Sequence, residues 1–275
     1  ILNKINNFSK INKFFSFDRN LNLKKKNKKI IKIKNYFNSD YFLNKHSSPI
    51  DLLIHSHLFE HMLDPGKFLR DVSLIISKNG KQIFTMPNMR PMIKKGYANA
   101  MNFEHPYYFD EKLVDTLLKK HNFKILKKIF FKDAHSIMYV TQKNNSLKDT
   151  KSTNLPKYFQ YKTNLKLFQG MFNFWKKDVT KINKAIKNFE EVFIFGAHIF
   201  SQTTIFNGLN IKKLKGVLDN DPNKTNNFLY GTNLKIFKPN VLEKIENPCV
   251  ILRAASYNDE IKKQLLIINK NVKII

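Results

Sequence analysis

Apolar and polar positions alternate with two different periods along this chain. Pro49–Ser56 (PIDLLIHS) is a compact apolar run and predicts a buried strand. Lys67–Ile76 (KFLRDVSLII) repeats its apolar residues at helical spacing. A turn at Lys78-Asn79-Gly80 then leads into the strand Lys81–Met86. Asp110 caps a helix running to about Lys120, with Glu111 in its first turn. Lys29–Lys34 predicts an earlier short strand, and Lys124–Phe131 and Ser136–Thr141 predict two later ones. Strands alternating with helices imply an open α/β sheet over residues 1–145.

The pattern changes twice more. Asn144–Asn154 is polar, as a linker is, and residues 158–187 have the look of a long helix, so 146–188 is a linker and helical segment. Residues 189–275 restart an α/β alternation: strands at Glu191–Phe195, Lys213–Leu218, Pro248–Arg253 and Val272–Ile275, with helices at Ser201–Asn207 and Asn258–Ile268. A second, smaller domain is expected there.

Composition narrows the function classes. Of 275 residues 42% are hydrophobic, which excludes a disordered polyelectrolyte. One cysteine, Cys249, excludes an intrachain disulfide framework. No apolar run reaches the length of a membrane span. No secretory start is visible, so a soluble, cytoplasmic protein is expected. The chain opens on Ile1, and we expect it to be an N-terminally truncated fragment. The formal charge of +28 invites a nucleic-acid partner, but only four of the 49 basic residues are Arg. The run Lys24–Lys29 has no interleaved aromatics for stacking. No specific nucleic acid is expected, while an anionic small molecule would be steered favourably.

The densest chemistry follows Pro49–Ser56. Ser56, His57, Glu60 and His61 stand in the loop at that strand's carboxyl end, where open α/β sheets bind ligands. The spacing of His57, Glu60 and His61 matches no firm metal-ligand pattern, and no metal is expected. Ordering of the loop by Glu60 and His61 is the alternative use of those residues. Glu104 and His105 stand beside a run of aromatics, suited to acid–base work or to structural hydrogen bonding. His135 either contacts substrate or is a half-buried strand histidine. Gly196 ends a strand before a helix, and Asp219 ends the next strand.

The segment Leu58-Phe59-Glu60-His61-Met62-Leu63-Asp64-Pro65 resembles the fourth-strand region of class I S-adenosylmethionine-dependent methyltransferases. The later helix and the strand ending Met86-Pro87-Asn88 fit the same family. The resemblance implies a Rossmann-like methyltransferase sheet with S-adenosylmethionine as cofactor. Phe14–Asp18 (FFSFD) then resembles the family's second strand, with Asp18 on the cofactor's ribose or, alternatively, capping a helix. Asn35–Asp40, with Asn38, would lie near the adenine; Ser56 and His57 would complete the cofactor contacts. No glycine precedes Gly66, so the family's first strand and its glycine loop are expected upstream or lost. Asn102–Phe109 (NFEHPYYF) resembles the Tyr-His-Glu-His segment of sugar C-methyltransferases at Glu104, His105, Tyr108 and Phe109. That implies His105 as base, or Glu104 acting through it. Asp133–Val140 resembles the family's His-Gly-Gly-Ser strand at His135 and Ser136. Gly196, Asp219, Tyr230-Gly231-Thr232 and Ala255–Asn258 resemble its C-terminal Rossmann-like domain. Together these imply methyl transfer to carbon of a nucleotide-linked keto-sugar, with His135, Tyr108, Gly196 and Asp219 on the substrate. An O- or N-methyltransferase and a non-catalytic sugar-nucleotide-binding remnant remain the alternatives.

Overall fold

The computed structural model describes residues 13–18, 30–46, 48–102, 104–131, 135–144, 161–254 and 257–275. The lysine run at 24–29, most of the polar linker, Phe103 and Ala255-Ser256 lie outside the described residues.

The first half is an α/β unit in two sheets. Strands β1 (Phe14–Phe17) and β2 (Ile30–Ile33) pair in parallel. Strands β3 (Ile50–Ser56), β4 (Ile76–Pro87), β5 (Phe123–Phe130) and β6 (Ser136–Lys143) form a sheet of order β3-β4-β6-β5, with β6 antiparallel to both neighbours. Among the described residues, no strand pairs with the second edge of β1 or of β3. The two sheets are tied by helices instead. Helix α1 (Ser39–Lys45) packs on α2 (Pro65–Ile75), where the Ser39 hydroxyl donates to Asp71 Oδ1 at 3.0 Å. Phe37 bridges Phe17 and Phe68, with ring centroids 5.5 Å from each.

Local chemistry explains where these elements start. Asp64 accepts from the Lys67 amide and Pro65 takes the first helical position, so Asp64-Pro65 is a helix start. Asp110 caps α4 (Glu111–Lys120) through the Leu113 amide, as its position in the sequence predicts. The Lys78-Asn79-Gly80 turn differs from expectation. It lies inside one long strand, β4, as an irregularity between the pairs Ile50↔Ile76 and Leu52↔Lys81. A Cβ on Gly80 would stand 2.9 Å from the Ile50 carbonyl oxygen, so the close approach needs glycine. Periodicity did not reveal α1 or the short helix α3 (Met89–Lys94), neither of which spans two full turns.

Register fixes the sheet's upper end. His55, Phe84 and Tyr139 stand opposite one another in β3, β4 and β6 and stack nearly parallel, with centroids 4.9 and 5.0 Å apart. Cross-strand aromatic pairs of this kind contribute on the order of 1 kcal/mol each. The stack locks β3 and β6 so that their ends, His57 and Ser136, meet.

The second half is a parallel sheet of order β11-β10-β7-β8-β9, built from β7 (Val192–Phe195), β8 (Leu214–Leu218), β9 (Ile236–Phe237), β10 (Cys249–Leu252) and β11 (Lys273–Ile274). Helices α6 (Ile199–Phe206) and α7 (Asn258–Ile268) accompany it. The long helix α5 (Tyr161–Ala185) braces the halves. Its Met171 packs among Met89, Met92, Ile93 and Ala100 of the first, and its Val179 and Ile182 enter the core of the second. The Trp175 indole donates to the Gly96 carbonyl at 2.7 Å, and Arg253 donates to Asp178 at 2.8 Å. No helix among the described residues is long and apolar enough to cross a membrane.

His55 gives the fold an acid sensitivity. Burial pushes its pKa down to about 3, with only the Gln82 amide donating to its Nε2 at 2.9 Å. The unfolded chain therefore binds the proton first, below about pH 6.5. Stability from this residue is complete above that value and falls as pH drops toward 3, at up to about 1.4 kcal/mol per pH unit. The unfolding free energy from urea titrations should fall with that slope between about pH 6 and 4.5, and His55→Leu should flatten it.

Candidate active site

Four separate segments deliver polar side chains to the carboxyl end of β3. His57 follows that strand, with its backbone held by the Thr85 carbonyl at 2.9 Å. Its φ of +47° puts it in the left-handed region, a strained conformation for histidine. A 3-10 turn, Phe59–His61, then folds Glu60 inward until only 3% of it is exposed. Phe59, fully buried against Phe84, Phe68 and Phe109, anchors the turn.

A continuous hydrogen-bonded line results. Glu60 Oε1 lies 3.1 Å from His57 Nδ1, His57 Nε2 lies 3.2 Å from Ser136 Oγ, and Ser136 Oγ lies 2.8 Å from His135 Nδ1. A carboxylate can only accept, so it assigns the proton to His57 Nδ1 and leaves a lone pair on Nε2. His135 and Ser136, predicted from the strand motif, are thus brought to His57, with the two imidazoles 5.9 Å apart.

On the other side of Glu60 stands the segment 102–109. His105 stacks edge-on against His61 with ring centroids 4.7 Å apart. Burial pushes the His105 pKa below its ordinary value, with the Glu60 charge opposing. The expected Glu104–His105 partnership is not what forms. The Glu104 side chain is exposed, and its backbone carbonyl accepts from His61 Nδ1 at 3.0 Å. Among the described residues the carboxylate bound to an imidazole is Glu60, on His57. Tyr108, 38% exposed, directs its hydroxyl to the Asn102 carbonyl and its ring toward Phe168 of α5. Glu60 and His61 were expected in the ligand-binding loop and Ser136 in the strand motif, but none was expected as a partner of His57 or His105. The signal was the i, i+3 spacing of His57 and Glu60, whose partners come from distant segments.

The residues expected on the cofactor sit at the carboxyl ends of β1 and β3 and beyond β2. Asp18 is exposed just past β1, with its amide held by the Ile33 carbonyl. Ser56, exposed at the end of β3, shares a 2.6 Å hydrogen bond with Thr85. Asn38 caps α1 through the Tyr41 amide, so its side-chain oxygen already has a donor. An exposed carboxylate and hydroxyls at strand ends fit the ribose part of a nucleoside. A glycine-rich turn for the rest is absent among the described residues, whose first glycine is Gly66.

In the second half, the two residues expected on the substrate turn inward. Gly196 adopts φ +111°, and a Cβ there would meet the Arg253 carbonyl at 2.7 Å, so glycine is required by the fold. Asp219 is buried with both oxygens occupied: Oδ2 by the Ala197 amide (2.7 Å) and Lys224 (3.2 Å), Oδ1 by the Asp221 amide (2.9 Å). Burial alone would raise its pKa, but those donors hold it below the usual carboxylate range.

Two family models match the sequence. One, described as a methyltransferase domain, covers residues 5–128; the other, described as a C-methyltransferase C-terminal domain, covers 135–275, just over half of the chain. No curated protein matches. The fold is similar to a candidate S-adenosylmethionine-dependent methyltransferase of Listeria monocytogenes, at 9% identity and TM-score 0.38, over 48% of this chain and 81% of that one. It is also similar to a candidate methyltransferase in complex with the Haloferax volcanii Trm112 activator, at 8% identity and TM-score 0.41, over 52% and 77%. Magnesium protoporphyrin IX methyltransferase of Synechocystis, solved with bound SAH, matches at 11% identity and TM-score 0.30, over 42% and 51%.

Asp219→Ala should lower stability by about 1–2 kcal/mol in urea unfolding, because it leaves two half-buried amides without their acceptor. A variant as stable as the parent would free Asp219 for a ligand.

Proposed function

The chain belongs to the family of the C-methyltransferase C-terminal domain and is an S-adenosylmethionine-dependent methyltransferase; from that premise we propose that it methylates the carbon beside the ketone of a nucleotide-linked sugar. The observation that carries this reading is the Glu60–His57 hydrogen bond at the end of β3. Carbon becomes a nucleophile only when a base removes its proton. An imidazole whose Nδ1–H is held by a carboxylate is suited to that task, since the carboxylate stabilises the imidazolium that forms.

In this reading His57 Nε2 accepts the proton, Glu60 holds the resulting cation, and the carbonyl oxygen becomes the enolate oxygen. Ser136 and His135 orient the His57 ring. When bound, S-adenosylmethionine supplies an electrophilic methyl group on sulfur. Asp18 would hold its ribose, with Ser56 among the further contacts. His105, expected from the motif as the base, has no carboxylate hydrogen-bonded to it among the described residues.

The nucleotide-sugar assignment is supported by the likeness of Glu104, His105, Tyr108 and Phe109 to sugar C-methyltransferases. The +28 charge also suits a diphosphate.

Proton abstraction can be measured without methyl transfer. In deuterated buffer with a nucleotide-linked keto-sugar and no methyl donor, the enzyme should exchange the hydrogen beside the ketone. His57→Ala should slow that exchange by about 100-fold or more, with the fold unchanged by circular dichroism. Exchange at the parent rate in His57→Ala would remove His57 from this role.

A further inference from the structure

Glu60 has two oxygens, and only one is satisfied. Oε1 meets His57, whereas Oε2 is buried with no partner. A carboxylate oxygen in a site only 3% exposed is costly to leave unpaired. Nδ1 of His105 is buried and unpartnered as well. Glu60, His61 and His105 each offer one ligand-capable atom, and those atoms all lie within 4.8 Å of one another.

We propose that Glu60, His61 and His105 form a binding site for one divalent transition-metal cation, with zinc the best match to the donors. Two imidazoles and one carboxylate are the donor set of open zinc sites, which keep a further position for water or a ligand oxygen. Hard cations such as magnesium and calcium prefer all-oxygen shells.

The surroundings match what such ligands need. The Glu104 carbonyl accepts from His61 Nδ1, fixing the tautomer that leaves Nε2 with a lone pair. His57 holds the second oxygen of Glu60 and so orients the carboxylate. In a tetrahedral site with bonds of about 2.0–2.1 Å, ligand atoms stand about 3.4 Å apart. Closure therefore asks the three side chains to move inward by about an ångström or more. His61 and His105 are only half-buried, which leaves a cation a way in and the rings room to rotate.

The site escaped the sequence because its third ligand comes from another segment. The proposal goes beyond methyl transfer, since cation binding requires neither methyl donor nor acceptor. A cation here would occupy His105, which agrees with placing the base at His57.

The test is titration of the metal-free full chain with Co2+, followed by displacement with Zn2+. We expect one equivalent of Co2+ with the visible absorption of a low-coordinate nitrogen–oxygen site, lost on adding Zn2+. His57→Ala should weaken binding by about 10–100-fold, and Glu60→Gln, His61→Ala and His105→Ala should weaken it more. His121→Ala, outside the cluster, should bind like the parent. Circular dichroism checks each fold; should Glu60→Gln unfold, the two histidine variants decide. No stoichiometric binding by the parent chain, or binding that survives both histidine substitutions, overturns the proposal. Loss of proton exchange in His57→Ala with metal stoichiometry absent would fail this inference alone.

Discussion

A carboxylate withdrawn from water must have partners, and Glu60 is that constraint in this protein. Its burial brings His57 to one oxygen and leaves the other without a hydrogen-bond partner, in a cluster with His61 and His105. For His57 to reach it, the backbone leaves β3 in the left-handed region. For Ser136 to reach His57, β6 must hold its register with β4 and β3. The His55–Phe84–Tyr139 stack supplies that register from below. Core packing and site chemistry are thus one construction, with aromatic rings in the middle of the sheet and polar groups at its carboxyl end.

The halves of the chain divide differently from what their motifs suggest. In the first half the motif residues converge on a small volume. In the second, Gly196 and Asp219 serve the fold: a close backbone approach and a buried cap for two amides. Helix α5 then couples the halves by giving one end to each core. Tyr108, from the segment that carries His105, sets its ring against Phe168 of α5.

Elements with a strong period were legible in the sequence, and Asn258–Ile268 matches residue for residue. Asp110 announced its helix because capping is a local interaction, whereas the cap at Asp64 was not read and that helix was placed two residues late. Short helices such as Met89–Lys94 left no periodic trace. The strand Ile76–Pro87 absorbed a turn, because pairing with β3 resumes beyond Gly80. The site was half legible. His57, His105 and His135 stood out by residue type, but their partners are set by strand register. The motif resemblance points to Glu104 beside His105, whereas the fold hydrogen-bonds Glu60 to His57.

The account stands or falls on where the methyl group goes. The most direct measurement supplies the chain with methyl-13C S-adenosylmethionine and a nucleotide-linked keto-sugar, then reads the product by carbon–proton correlation NMR. The account predicts a labelled methyl bonded to the ring carbon beside the ketone. A labelled methyl on oxygen or nitrogen would contradict it.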